Sequence, residues 1–556
     1  MRDRRDTRPP RGGGARNARA ACLSALLIVA AAPLARAEEP RVEAIHILRK
    51  DVFNPSVPRF DRFPYSWVNA LHIRTRENVI RRALLFRPGD PFDPDVLEET
   101  ERSLRHLSFI AYASVVPGER RGNEQDVVVE THDMWSTQVS LDLGDGPEER
   151  AEGESFLEVK LEEQNLFGFG KRVELLYRRT DGENAFGWLV FDPQLLGGRW
   201  TLRAYDLARS PGQEAGIEID RPFYSLDSRW GMGAATVHRS RDDRLYRRDR
   251  EIGTFFHEDR RDYAHAGRMI GDRRRKLLLR ALFLRQATDF SDLRPTEGET
   301  PDPSLLEAGE TSRHLAISAA YGRFRFAEDE GIDFFDRVED IERGAYAALS
   351  AGPVWGAPDR WRFGAETHWG TEIGSRRYAS LEAASLVERR ASRWGKTTLG
   401  AGALYHQKWA GRMCVAARAL WDEEWRSEAG RELFADGPAG LRGRGDRGDA
   451  GTRRVLFNFE NRVDTGLRFL TVAFGAALFF DAGGAWDADE PVRFRDLGSS
   501  VGAGLRLGLT KSQDGRTYRI DLARNLEDGS FRVDIGLGHL FLVGRPFAEF
   551  TRPFRL

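Results

Sequence analysis

The sequence predicts a mainly β fold: a transmembrane antiparallel β-barrel of about sixteen strands, behind one small α+β domain. Three observations lead there. The chain opens with an export segment and has no later apolar run near the ~20 residues a spanning helix needs, so any membrane crossing uses strands. Segments of two-residue alternation recur along most of the chain, separated by turn signals. The composition is polar for a membrane protein, with 31% charged residues, 11% aromatics, 56 glycines and a mean hydropathy of −0.51. A barrel with a watery lumen gives that profile, because only every second residue of a strand meets lipid.

Residues 1–37 read as the export segment. Arg2, Arg4, Arg5, Arg8, Arg11, Arg16 and Arg19 form a basic head, Ala20 to Leu34 an apolar run, and Ala35-Arg36-Ala37 a small-x-small cleavage site. Cys22 starts the apolar run without a lipobox after it. These residues hold eight Arg and two Asp, so their removal takes the net charge from −1 to −7. That balance speaks against a nucleic-acid partner. Cys414 is then the remaining cysteine, and no intramolecular disulfide can form.

Residues 38–136 read as the α+β domain. Arg41 to Leu48 alternates as a strand. Asn54 to Arg74, rich in proline and aromatics, reads as an inserted loop. Thr75 is placed to N-cap a helix over Glu77 to Phe86, with Val79, Ile80, Ala83 and Leu84 on one stripe. Asp93-Pro94 starts a second helix as cap and first-turn proline, with Val96, Leu97, Leu104 and Leu107 as its stripe. Two strands follow, Ile110 to Val116 and Gln125 to Thr131.

Residues 137–541 read as the barrel. About sixteen strands would each take roughly 25 residues with their connection, which suits strands of ~9–11 residues. Val173-x-Leu175-x-Tyr177, Leu315-x-Ile317-x-Ala319-x-Tyr321, Val501-x-Ala503-x-Leu505-x-Leu507 and Val533-x-Ile535-x-Leu537 are typical alternations. Gly197-Gly198, Ser210-Pro211-Gly212 and Gln513-Asp514-Gly515 are typical turns. Asp289 to Glu310 reads as a long acidic external loop. The last strand is expected over Phe531 to Phe541, ending on an aromatic, with residues 542–556 as a tail that either enters the lumen, covers the seam or stays unstructured. Gly536 and Gly538 take side-chain packing out of that strand and weaken it.

One loop organises the remaining motifs. Gly440-Leu441-Arg442-Gly443-Arg444-Gly445-Asp446-Arg447-Gly448-Asp449 holds four glycines and five charges and cannot pack as a regular element. The strand after it puts Val455, Phe457 and Phe459 on one side and Leu456, Asn458 and Glu460 on the other. A later strand, Ala476 to Gly484, carries Asp481 alone in an apolar run. An arginine loop followed by strands with inward carboxylates resembles the BamA/TamA-type outer-membrane assembly-factor superfamily (the bacterial surface antigen family). There a (Val/Leu)-Arg-Gly-(aromatic) loop folds into the barrel and is latched by acids on its wall. Leu441, Arg442 and Gly443 match; Arg444 stands where the aromatic is usual. By resemblance Glu460 and Asp481 are the latch carboxylates. Asn165-Leu166-Phe167-Gly168-Phe169-Gly170, Asp192-Pro193-Gln194-Leu195-Leu196-Gly197 and Arg221-Pro222-Phe223-Tyr224 look like the family's first turns. The order strand–helix–helix–strand–strand, with Gly89-Asp90-Pro91-Phe92 between the helices, looks like a single POTRA domain.

The resemblance implies a bacterial outer-membrane protein, with its POTRA domain in the periplasm, that inserts, assembles or translocates other proteins. Its partners would be outer-membrane lipids, unfolded client proteins added to a free POTRA sheet edge, and periplasmic or lipoprotein accessories. The family pairs its first strand, here Thr137 to Leu143, with its last. A two-partner-type secretion pore is the alternative within the class. A passive diffusion channel or structural surface antigen is the alternative outside it, although a porin needs neither the domain nor the loop.

No enzymatic chemistry, cofactor or metal is expected. Gly498-Ser499-Ser500-Val501-Gly502 spells a hydrolase elbow, but a strand follows where the elbow needs a helix. Gly443-Arg444-Gly445-Asp446-Arg447-Gly448 lacks the strand–turn–helix unit of a dinucleotide site. Arg444-Gly445-Asp446 spells an adhesion tripeptide inside a basic, glycine-rich loop. The histidines show no metal-ligand spacing. Glu460 and Asp481 have no cleft to serve as a glycosidase pair.

Overall fold

A computed structural model of the chain describes residues 40–551, apart from 146–154, 181–183, 248–249, 297, 303–308, 357–358, 392, 427–432, 438–439, 445–449, 489, 512–516 and 543–545. The export segment, residues 552–556 of the tail, and Gly445 and Asp446 of the adhesion tripeptide lie outside the described residues.

Strand β1 (Arg41–Lys50) is followed by helices α1 (Tyr65–Leu71), α2 (Glu77–Ala83) and α3 (Pro94–Arg105), then by β2 (Ile110–Arg121) and β3 (Glu124–Asp133). The sheet order is β1-β3-β2, with β1 parallel to β3 and β3 antiparallel to β2. A parallel neighbour requires a crossover, and the helices provide it. Val79, Ile80, Ala83, Leu97 and Leu104 on the helices bury against Val42, Ile110, Ala113, Val127 and Val129 of the sheet. Asp93 caps α3 as expected, accepting from the Asp95 N–H at 2.9 Å.

Two local expectations are corrected. Helix α1 lies inside the stretch read as a loop, where the rings of Phe53, Phe60 and Tyr65 cluster with centroids 4.8, 5.1 and 5.2 Å apart. Thr75 does not cap α2: Arg76 holds that position without a side-chain bond. The Thr75 N–H and hydroxyl both donate to Asp133 Oδ2, at 2.6 and 2.9 Å. A buried carboxylate on β3 outcompetes the open end of a short helix for that hydroxyl.

From Thr137 the chain is sheet. The run is β4 (Thr137–Asp145), β5 (Ser155–Glu163), β6 (Arg172–Thr180), β7 (Asn184–Leu195), β8 (Trp200–Arg209), β9 (Gly212–Arg221), β10 (Trp230–Arg247), β11 (Arg250–Gly271), β12 (Arg275–Pro295) and β13 (Glu310–Glu330). It continues with β14 (Val338–Trp355), β15 (Arg360–Glu372), β16 (Arg377–Arg390), β17 (Arg393–Trp409) and β18 (Met413–Trp425). A loop then carries the short pair β19 (Leu433–Phe434) and β20 (Ala450–Gly451). The sheet resumes with β21 (Arg453–Phe469), β22 (Val472–Trp486), β23 (Gly498–Leu509), β24 (Thr517–Asn525) and β25 (Phe531–Leu537).

Apart from β19 and β20, these strands form one twenty-strand antiparallel barrel sheet whose order returns β25 to β4. About sixteen were expected. The difference lies in the connections: residues 272–274, 410–412 and 470–471 each suffice to join two strands, so less chain goes into turns. Strands β10 to β13 are longer than a bilayer needs, and the stretch read as an external loop from Asp289 is strand as far as Pro295.

The last strand is also shorter than expected. It stops at Leu537, not Phe541, because Gly538 adopts φ +77° and turns the chain off the sheet. Gly536 keeps its place in the strand, where an added Cβ would meet the Arg519 guanidinium at 2.7 Å.

Alternation sorts the barrel wall. On β12, Leu277, Leu279 and Phe283 face out while Leu278, Arg280 and Leu282 are buried. Exposed tryptophans ring both rims. Trp230, Trp369 and Trp409 lie at the end near the α+β domain, and Trp355, Trp361, Trp394 and Trp425 at the far end. A continuous apolar exterior between aromatic belts is what lipid requires. Among the described residues no helix is long and apolar enough to cross a membrane.

Candidate functional site

The β18–β21 connection leaves the far rim and folds back into the lumen. β19 and β20 pair at its base. Leu441 is fully buried with Ala435 and Leu456, and its N–H donates to the Ala435 carbonyl at 3.1 Å. Gly443 takes φ +81° against β24, where a Cβ would stand 2.8 Å from the Ala523 Cβ. The motif's glycine is therefore required by both backbone sign and space.

Between them Arg442 is buried completely. Its Nε and Nη2 donate to Asp481 Oδ2 and Oδ1 at 2.8 and 2.9 Å, a two-point clamp. Its Nη1 donates to Glu460 Oε1 at 2.7 Å and to Asp521 Oδ2 at 2.9 Å. The guanidinium lies 3.6 Å from the ring centre of Phe479. One side chain thus ties the loop to β21, β22 and β24.

Three buried carboxylates around one guanidinium would leave unbalanced charge, and two more arginines supply the balance. Arg506 on β23 donates to Asp521 and lies 3.5 Å from Glu460. Arg462 on β21 donates through Nε to Glu460 Oε2 at 2.8 Å and through Nη1 to Asp333 Oδ1 at 3.0 Å. Asn458 Nδ2 donates to Asp481 Oδ1 at 2.8 Å. The Gly443 N–H donates to Asp534 Oδ2 on β25 at 3.3 Å, extending the loop's contacts to the last strand. Arg444, at the position expected to be aromatic, pairs with Glu527.

The structure brings Leu441, Arg442, Gly443, Glu460 and Asp481 into one cluster. Gly536 and Gly538 lie outside it, in and just after β25. Asp521, Arg506, Arg462 and Phe479 were missed. Asp521 shows the same signal as Asp481, a lone acid between apolar residues, here the outward Ile520 and Leu522.

A second set of contacts seats the α+β domain on the near rim. The turn motifs carry it. The Arg76 N–H donates to the Gly168 carbonyl at 2.9 Å, and Asn165 Nδ2 donates to Thr75 Oγ1 at 2.9 Å. Gln194 Nε2 donates to the Val79 carbonyl at 3.1 Å. Glu99 on α3 accepts from the Leu226 N–H at 2.5 Å and from Arg273 Nη2 at 3.0 Å. Arg105 donates to Asp340 and Glu328, each at 2.6 Å. Burial works against the Arg105 charge, but those carboxylates hold its proton well above the usual arginine range. The turn between β13 and β14 enters the near mouth, with Phe335 against Gly475 and Gly508 and Asp333 on Arg462.

Among solved structures the chain is similar to CdiB from Escherichia coli, at 9% identity and a TM-score of 0.45, over 90% of this chain and 76% of that one. It is similar to BamA from Haemophilus ducreyi lacking POTRA domains 1-3, at 10% identity and 0.37, over 89% and 83%. It is also similar to the alcaligin outer-membrane receptor FauA from Bordetella pertussis, at 11% identity and 0.37, over 77% of each chain. No protein-family profile and no curated protein matches it. The described strands form a twenty-strand antiparallel barrel sheet with an apolar exterior, which is the architecture of a transmembrane β-barrel. Among the described residues the arginine cluster joins the loop, the wall, the near-mouth turn and, through the Phe541 carbonyl that accepts from Arg462 Nη2 at 2.7 Å, the chain after β25.

Proposed function

We propose that this chain inserts, assembles or translocates other proteins at a bacterial outer membrane, with its α+β domain in the periplasm receiving them. The observation that carries the reading is Arg442, held inside the lumen by Glu460, Asp481 and Asp521. A barrel built only to pass solutes has no need to latch a loop to three of its strands.

The receiving domain supports the same reading. Its sheet order leaves β1 and β2 as edges, and β2 exposes Tyr112 and Val116 beside its free main chain. An edge with exposed apolar side chains can take an extended client strand through main-chain hydrogen bonds. The passive-channel reading fits less well, because the loop, the β13–β14 turn, Phe541 and Phe550 all occupy the lumen. Depletion of the protein, followed by a quantitative survey of outer-membrane proteins, tests the proposal. Loss of a defined set of barrels or secreted proteins is expected. An unchanged outer-membrane and surface proteome with altered small-solute uptake would overturn it.

A further inference from the structure

Helix α1 has two unlike faces. Tyr65, Asn69 and His72 stand at helical spacing on one of them. Tyr65 joins the ring cluster with Phe53 and Phe60. Asn69 exchanges two hydrogen bonds with the Phe53 main chain, at 2.8 and 3.1 Å. His72 Nε2 lies 3.0 Å from Asp133 Oδ2. That face ties to the domain a helix too short to be stable by itself. The opposite face carries Trp67 and Leu71, in line with Phe63 just before the helix. These three are 65%, 70% and 73% exposed. The rings of Phe63 and Trp67 meet edge to face, with centres 5.6 Å apart. The domain's core is built without them, from α2, α3 and the sheet. An apolar stripe held outward by polar contacts behind it points to a surface that covers it.

The chain after α1 lies on the near rim. A Cβ at Gly168 would stand 2.6 Å from the Arg74 carbonyl oxygen, and Arg76 Nε donates to the Phe167 carbonyl at 3.1 Å. The β5–β6 turn therefore carries this segment directly. Phe167 in that turn and Leu196 in the β7–β8 turn are 61% and 98% exposed, each at φ +52°. Left-handed backbone is unfavourable for a bulky side chain, yet two neighbouring rim turns use it to hold an apolar one outward. The tryptophans of the same rim continue that border around the barrel. Charge matches the same surroundings. Residues 54–76 hold Arg59, Arg62, Arg74 and Arg76 against Asp61 alone. Arg74 pairs with Asp51 at 3.5 Å, and Arg76 lies 4.0 Å from the Phe169 ring centre. Arg59 and Arg62 are exposed just ahead of the stripe. Aromatic and leucine side chains flanked by arginine suit the boundary between acyl chains and anionic headgroups.

We propose that α1 is an interfacial anchor: Phe63, Trp67 and Leu71 enter the leaflet at the near rim, and Arg59 and Arg62 meet its phosphates. The α+β domain is then fixed at two places, on the rim turns and on lipid, and the membrane limits how far it swings away from the barrel. The proposal rests on the barrel lying in a bilayer and is independent of what the barrel handles.

The test uses the full mature chain with Cys414→Ser, reconstituted into vesicles of phosphatidylcholine and phosphatidylglycerol. An environment-sensitive fluorophore is attached through Ala70→Cys, beside the stripe, or through Glu119→Cys, on the exposed end of β2. A phospholipid spin-labelled near the top of its acyl chain is the quencher. The label at position 70 should be quenched and blue-shifted, and the one at 119 should not. Trp67→Ser with Leu71→Ser should reduce quenching at 70 at least about twofold, while the barrel keeps its heat-modifiable gel mobility. Arg59→Ser with Arg62→Ser should remove the extra quenching that phosphatidylglycerol gives over phosphatidylcholine alone. Equal quenching of the two labels, or quenching at 70 untouched by the serine pair in the stripe, would overturn the proposal and leave the stripe to a protein partner. Neither result depends on whether depletion removes any protein from the outer membrane.

Discussion

Arg442 gives up its hydration for four charge-assisted hydrogen bonds to three acids. Removing one side of such a buried arrangement leaves charge without a partner, at a cost of ~3–5 kcal/mol. Arg442→Ala is therefore expected to lower the temperature at which the barrel loses its heat-modifiable mobility on gels, and to impair function. Arg442→Lys should recover only part of each, because an ammonium cannot make the two-point clamp on Asp481. Arg442→Glu with Asp481→Arg, or with Glu460→Arg, should recover more than Arg442→Glu alone. An Arg442→Ala protein that melts like the wild type would show that the loop is held by other contacts. Alternation made Glu460 and Asp481 legible, since each breaks an apolar strand at the inward phase. Asp521 carried the same mark, but the family pattern that drew attention to the other two did not point there. Arg462 and Arg506 were hidden for a different reason: in a chain with 85 Lys and Arg, an inward arginine does not stand out.

The turns show how far single elements can be read. The glycines of Asn165-Leu166-Phe167-Gly168-Phe169-Gly170 were visible as a hairpin signal, but their purpose lies in the domain above them. Gly170 has φ +66°, and a Cβ there would stand 2.8 Å from the Phe109 ring and 3.2 Å from Val79. Gly170→Val should loosen the domain from the rim while leaving the barrel folded. A cost of about 1–3 kcal/mol is expected for overpacking at that contact. Limited proteolysis near residue 136 would detect it as faster release of the domain, with unchanged gel mobility of the barrel fragment. Strand number and the end of β25 were not legible. Alternation continues through His539-Leu540-Phe541, and only the positive φ at Gly538 takes those residues off the sheet. The cost of such a turn is invisible in a pattern of polar and apolar letters.

For the whole molecule, the sequence supported the division into a small α+β unit and a barrel, because a helical period gives way to a period of two near Thr137. It did not show how the units meet. Glu99, Arg105, Arg273 and Asp340 are ordinary surface charges by composition, and only the fold brings them together. Each unit has a separate core, so deletion of residues 41–136 should leave a membrane-embedded, heat-modifiable barrel that no longer supports client assembly. Complementation of a depletion strain measures this, and full rescue by the truncated protein would remove the domain from the receiving role.

The arginine cluster also bears on the order in which the barrel comes together. Arg442 and its most distant carboxylate, Asp521, are 79 residues apart in the chain. By contrast, β25 and β4 stand at opposite ends of the sheet-forming sequence. The entropy lost on closing a loop grows with its length, and contacts between distant segments form more slowly. The C-terminal strands can therefore collect around Arg442 as a local nucleus before the N-terminal strands arrive. The meeting of first and last strands is then the final event in making the barrel. A chain carrying Arg442→Ala should lose that head start and fold more slowly in lipid than its reduced stability alone accounts for.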